Sequence, residues 1–207
     1  MANGGGKIAY FENRGLSKET ITQAFLGYEP EVYFPEKNGI GYKGPALLYP
    51  CIGGGRVLAI HYKSLERDEK RKRRQKWGGY ADDLPRRGHG KRPAAPAKIV
   101  PFGLETLEGL EPGSLVVLCC GEEDALSLRQ VGFTALSQPG AGLLEPVYAA
   151  ELAGFEVVVF YDAGEEAQAS EDAIKLRLAG AAEVRVVEWP PDAPHGADIN
   201  ARLVENG

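Results

Sequence analysis

Sulfur is scarce in this sequence and long apolar runs are absent. Among 207 residues there are one methionine and three cysteines. Cys51, Cys119 and Cys120 form no C-x-x-C pair, which excludes the common zinc-binding spacing and a disulfide framework, so no zinc is expected. Cys119 and Cys120 read instead as small buried strand residues. No stretch of about 18 apolar residues occurs, so no membrane span is expected. The opening M-A-N-G-G-G-K has no apolar signal segment, and the expected location is the cytoplasm. His61, His89 and His195 are scattered without metal-ligand spacing and read as ordinary side chains.

Charge is plentiful but unevenly placed. The net charge is −5. Residues 1–100 carry 19 Lys and Arg against 10 Asp and Glu, a net of +9, and residues 101–207 carry 5 against 19, a net of −14. A basic front half joined to an acidic back half suits a polyanion on one side and cations on the other. The length accommodates one large domain or two small ones.

In the front half, Ser17 is a helix N-cap, with Ile21, Ala24 and Phe25 on one face and Gly27 as the stop. After a loop, Ala46–Ile52 and Arg56–Tyr62 flank three glycines and read as an antiparallel hairpin, with Pro50 pushing its strand towards a sheet edge. A basic segment follows: Lys63, Arg67, Lys70, Arg71, Lys72, Arg73, Arg74 and Lys76, closed by Trp77 and Tyr80. Read plainly it is a solvated charge run. The sharper reading is a phosphate track, with the aromatics as stacking platforms for unpaired bases. Arg86, Arg87, Lys91 and Arg92 continue the basic character through a Gly/Pro-rich loop.

From Pro101 strands and helices alternate. The pattern predicts strand Leu115–Cys119, helix Glu122–Val131, strand Phe133–Ser137, loop Gln138–Gly142 and helix Leu143–Ala153. Strand Phe155–Tyr161, helix Glu165–Ala179, strand Glu183–Glu188 and a short helix from about Asp198 follow. This is an α/β arrangement, a parallel sheet flanked by helices, and right-handed crossovers place the strand ends on one rim. There Cys120-Gly121 ends one strand and Asp162 another, with Glu122, Glu123 and Asp124 opening the helix between. Carboxylates at adjacent strand ends are what Mg²⁺-dependent phosphoryl or nucleotidyl transfer needs, since hard oxygens hold the ions against phosphate. The same acids also suit a helix N-terminus for dipole reasons, and Asp162 and Asp198 suit helix caps. Backbone N–H groups of Gln138–Gly142 could cradle phosphate.

R-G-L-S-K-E-T with the following L-G-Y, V-P-F-G-L-E-T-L, C-G-E-E-D-A-L, L-S-Q-P-G-A-G, F-Y-D-A-G-E-E-A and G-A-D-I-N-A-R-L occur in this order. Together they resemble the Toprim domain, specifically the catalytic core of bacterial replicative primases and phage primase–helicases. The resemblance implies a smaller, basic α+β N-terminal subdomain at 1–100 and a Toprim domain at 101–207. It implies Asp124, Asp162 and Asp198 as metal ligands for Mg²⁺ or Mn²⁺ and Asp124 and Asp162 as catalytic acids, to which the neighbouring Glu122 is added as a recruited third. The basic segment from Lys63 to Trp77 would contact single-stranded DNA. Nucleotides are further implied partners, as is a helicase or zinc-binding module on another chain.

Two of the five acidic positions of that family are not acidic here. Cys120 stands where the catalytic Glu is expected, and Gly164 where the second Asp of Asp-x-Asp is expected. A thiol binds Mg²⁺ weakly and stays protonated near neutral pH. The expectation is therefore a primase-like protein with a weakened metal centre, in which Glu122 or Glu165 is the available substitute. The alternatives are an active Mg²⁺-dependent primase and a non-catalytic scaffold for protein interaction.

Overall fold

A computed structural model describes residues 5–36, 39–67, 73–78, 100–138 and 140–206. The chain opens with helix α1 (Gly5–Asn13) and the short helix α2 (Lys18–Gln23). Ser17 caps α2, its Oγ accepting from the Thr20 amide at 3.1 Å. The helix stops earlier than the sequence suggests. Phe25 turns the chain in the left-handed region (φ 52°), and Gly27 opens a strand instead of ending a helix.

Four antiparallel strands follow, β1 (Gly27–Glu36), β2 (Gly39–Gly53), β3 (Arg56–Arg67) and β4 (Arg73–Gly78), in the order β1-β2-β3-β4. The expected β2–β3 hairpin is present, with Gly54 and Gly55 at φ 57° and 68°, the left-handed turn that matches strand twist. Two strands were not expected. β1 carries Pro30 and Pro35, and β4 is built from the basic run itself. β2 is a central strand and not the edge that Pro50 suggested. Its pairing with β1 reaches only Leu48, however, while pairing with β3 continues through Pro50 to Gly53. Pro50 thus sits where its strand has lost one neighbour, the place where a missing N–H costs least.

The back half is a parallel sheet in the order β6-β5-β7-β8, formed by β5 (Leu115–Cys119), β6 (Ala135–Ser137), β7 (Glu156–Val159) and β8 (Glu183–Val186). Helices α3 (Glu122–Gln130), α4 (Pro146–Ala150), α5 (Glu166–Leu178) and α6 (Ile199–Asn206) connect and follow them. α4 is far shorter than the Leu143–Ala153 expected, because Pro146 sits in its first turn and proline favours a helix start over an interior. β5 and β7 are direct neighbours, Leu118 opposite Val159, so their C-terminal ends open side by side.

The two sheets share a core. Leu47, Tyr49, Cys51 and Ala59 from the antiparallel sheet pack with Phe11, Val117, Cys119, Ala125 and Leu126. Period-two alternation along β3 puts Ala59 and His61 on this inner face, both buried. A second cluster, including Val116, Leu118, Val159, Ala173 and Leu176, fills the space between the parallel sheet and α5. Among the described residues, no helix is long and apolar enough to cross a membrane.

Candidate cation and nucleic-acid site

Where β5 and β7 end, a cleft of about 180 Å³ opens between the two sheets, lined by Arg14, His61, Lys63, Cys120, Gly121, Glu122, Glu123, Asp124, Asp162 and Asp198. Asp124, Asp162 and Asp198, which the sequence singled out separately, thus meet in one place. The turn after β5 makes room for Asp124. A Cβ at Gly121 would lie 2.5 Å from Asp124 Oδ2, so only glycine lets this carboxylate fold back over the turn. Asp124 Oδ1 accepts from the Asn200 amide at 2.9 Å. Asn200 Nδ2 in turn donates to Ser127 Oγ and to the Arg14 carbonyl, both at 2.7 Å. One buried amide therefore ties α6, α3 and the Arg14 turn together at the cleft.

Glu122 and Glu123 do not behave as helix-capping acids. The N-cap of α3 is Gly121, which makes no side-chain cap bond. Glu122 lines the cleft as one half of a pair with His61 Nδ1; the two side chains are 5% and 1% exposed, so the pair is withdrawn from water. His61 is therefore not an ordinary histidine but the partner of a buried acid. Glu123 accepts from Tyr10 Oη at 3.2 Å and from Tyr49 Oη and Lys63 Nζ at 2.5 Å each. Burial alone would lift the Glu123 carboxyl, but Lys63, Tyr49 and Arg14 outweigh it and hold it below its ordinary value. Burial likewise opposes the charge on Lys63, and Glu123 outweighs it, so the ammonium is held above its usual range. Lys63 accordingly sits in the cleft as the counter-ion of Glu123.

The strand-end acids resist ionisation. Burial pushes Asp124 up to about 8, with Asp198, Asp162 and Glu123 adding to the shift against the Asn200 hydrogen bond. Burial lifts Asp162 to about 6, Glu165 and Asp198 add to it, and Arg14 pulls the other way. Cys120 stands at the end of β5 as expected. Burial is the main reason its thiol is pushed far up, with Glu165 and Asp162 contributing, so it stays protonated. Glu165 is close enough to the Cys120 position to act on its thiol, and Glu122 lines the same cleft in its pair with His61. Asp198 is occupied. Oδ1 accepts from the Ala201 amide at 2.5 Å, capping α6, and Oδ2 accepts from Arg14 Nη2 at 3.4 Å.

These donors fit a hard divalent cation in one particular way. The Asp162 carboxylate accepts no hydrogen bond among the described residues, its carbonyl alone taking the Glu165 amide at 3.0 Å, and Asp124 keeps Oδ2 uncommitted, whereas Asp198 has both oxygens engaged. Among the described residues, no three His, Cys, Asp or Glu side chains converge closely enough to enclose a metal ion. Mg²⁺ seldom needs such a cage. It is commonly held by one or two carboxylates, with water and substrate phosphate completing its shell.

The basic segment is partly outside this picture. Lys70, Arg71 and Lys72 lie outside the described residues, as do Tyr80, Arg86, Arg87, Lys91 and Arg92. Arg67 ends β3. Arg73, Arg74, Lys76 and Trp77 belong to β4, where Arg73 is the register partner of Arg67, Lys76 of Tyr62 and Trp77 of His61. The basic run thus includes a strand of the sheet that walls the cleft. The glycine loop after β6 does not present all its amides for an anion, because Gly142 N donates to Asp172 Oδ2 at 3.0 Å.

Sequence reading missed His61, Arg14, Tyr10 and Tyr49. Period-two alternation would have put His61 and Lys63 on one face of β3, but only the fold brings them against α3.

No family model matches the sequence, and no curated protein matches it. Solved structures do. The chain is similar to the DnaG catalytic core, with 17% identity and a TM-score of 0.66, covering 98% of this chain and 69% of that one. It is similar to a DNA primase domain from Pseudomonas aeruginosa, at 16% identity and a TM-score of 0.63, covering 98% and 68%. The primase fragment of the bacteriophage T7 primase–helicase protein aligns at 17% identity and a TM-score of 0.52, over 94% and 71%. The chain has the fold of a primase catalytic core, as its motifs led one to expect.

Proposed function

We propose that this chain is a primase-like protein of DNA replication that binds single-stranded DNA and carries a weakened divalent-cation centre. The observation that carries the reading is the convergence of Asp124, Asp162 and Asp198 in one cleft of a primase-core fold, walled by a sheet whose third and fourth strands bear the basic run. Arg67, Lys70, Arg71, Lys72, Arg73, Arg74 and Lys76 supply the phosphate contacts in this reading, and Trp77 a stacking surface. Lys63 acts one step removed, by holding Glu123. Asp124 and Asp162 hold the cation, Mg²⁺ or Mn²⁺. When bound, the ion neutralises charge on nucleotide phosphates. Asp198 orients Arg14, which points positive charge into the same cleft. A replication role places the chain in the cytoplasm. The primase–helicase origin of one structural neighbour supports a helicase as a partner.

The weakening follows from two positions. Cys120 offers a protonated thiol where a carboxylate would accept a proton or bind a hard ion, and Gly164 offers no side chain. A second reading, an active primase, draws on Glu165, which sits beside both Cys120 and Asp162.

Labelled-nucleotide incorporation on a single-stranded DNA template with Mn²⁺ separates the two. The weakened-centre reading expects slow incorporation by the native chain, abolished by Asp162→Asn and raised at least tenfold by Cys120→Glu. Fast native incorporation that Glu165→Gln abolishes would establish the second reading and reject the first.

A further inference from the structure

The cleft departs at three positions from the five-acid centre that the sequence resemblance implies, each by a different physical route. At Gly164 the loss is conformational as well as chemical. The residue turns the chain from the β7 end into α5 at φ 96°, a conformation that L side chains rarely adopt. Its missing Cβ would lie 2.7 Å from His195 Cδ2 and 2.8 Å from Nε2. His195 is held there by its own loop. Gly196 N donates to the Ala163 carbonyl at 2.8 Å, and Ala163 N donates to the Ala197 carbonyl at 3.0 Å. This two-bond clamp lays the His195 segment across the β7 end. At Asp198 both oxygens are already spent, on the α6 cap and on the Arg14 guanidinium. At Cys120 the ligand is a thiol. What remains for a hard cation is Asp124 Oδ2 and Asp162, with Glu165 beside Asp162 but, among the described residues, closing no three-ligand group.

We infer that the cleft holds one divalent cation, on Asp124 and Asp162 alone. Asp198 then serves Arg14 and the helix cap and is not a ligand, and the Gly164 turn beneath His195 shuts the place of a second ion. The inference rests on the proposed cation centre and specifies its stoichiometry and ligands. Arg14 does the work of the second ion: a fixed positive charge, held by Asp198 and facing the same acids.

Mn²⁺ binding to the full chain, followed by the electron paramagnetic resonance signal of free Mn²⁺ at pH 8, tests this without any need for turnover. Equivalents are counted as those lost on Asp162→Asn, which removes background sites elsewhere on the acidic half. One equivalent is expected. Asp198→Asn, which retains a capable helix cap, should leave Mn²⁺ affinity within twofold, whereas Asp124→Asn should weaken it at least tenfold. His195→Ala should leave the count at one, because no ligand lies behind the ring. Two equivalents in the native chain, or a tenfold loss on Asp198→Asn, would overturn the inference while leaving the proposed cation centre intact. No equivalents lost on Asp162→Asn would overturn both the inference and that centre. Single-strand binding, measured separately, decides the rest of the proposed function.

Discussion

At the scale of single residues, Asp124 is the most strained acid of the cleft in electrostatic terms. Its carboxyl is buried and pushed from 3.8 up to about 8. The unfolded chain, with an ordinary value, ionises at lower pH than the folded one. The favourable protonation of folded Asp124 is therefore complete below about pH 4 and is lost as pH rises through about 8. In the absence of divalent cations, Asp124→Asn should stabilise the fold by roughly 4 kcal/mol at pH 8, on the order of 10 °C in melting temperature, and hardly at all at pH 4. Thermal melts at the two pH values check this, and excess Mn²⁺ should reverse the sign at pH 8 by favouring the carboxylate. An equal shift at both pH values would mean that packing, not charge, is responsible.

The acids of the site were legible in the sequence because strand ends and helix starts are marked by residue type: an apolar run, a glycine, then carboxylates. Their partners were not legible. Glu122 reads as a good first-turn residue of a helix, and nothing near it in sequence signals that His61, on another sheet, buries it. Gly164 reads as a lost ligand, and only the fold shows that His195 stands over it.

Among the elements, the loop after β6 is held by a buried network centred on α5. Asp172, fully buried, accepts from Gln138 Nε2 and Tyr161 Oη at 2.8 Å, from Gly142 N at 3.0 Å and from Lys175 Nζ at 2.6 Å. Gln138 Nε2 also lies 3.9 Å from Cys120 Sγ, so the network reaches the rim of the cleft. Asp172→Ala should leave several buried donors without an acceptor and cost about 3–5 kcal/mol in denaturant unfolding. Hydrogen exchange at the Gly142 amide should speed up by more than the global loss explains. A cost below about 1 kcal/mol would show that water replaces the carboxylate without penalty.

The parallel strands and their helices were foreseen because each strand is a short apolar run punctuated by glycine or acid, a pattern little affected by tertiary context. The antiparallel half was harder to read. β1 is interrupted by prolines and β4 is almost wholly polar, so neither carries the apolar alternation that marks a strand. Both exist because β2 and β3 supply ladders for them to join. α4 contracted for the opposite reason: its apolar spacing suited a longer helix, but Pro146 fixed where it begins.

For the whole molecule, the division of charge matches the division of sheets. The basic half forms the antiparallel sheet and the acidic half the parallel one, and the cleft lies where they meet. Under the proposed function, such a field would draw a nucleic-acid backbone to one side and a cation to the other, and would keep the backbone from the strand-end acids unless an ion intervened. The measurement that bears most directly on this is single-stranded DNA affinity as a function of salt, by fluorescence anisotropy. Each phosphate contact contributes a slope of about −0.7 in log K against log salt. The native chain should show a slope on the order of −3, and Arg73→Glu/Arg74→Glu should flatten it by more than about 1. A native slope near zero, or one that this charge reversal leaves unchanged, would contradict the account.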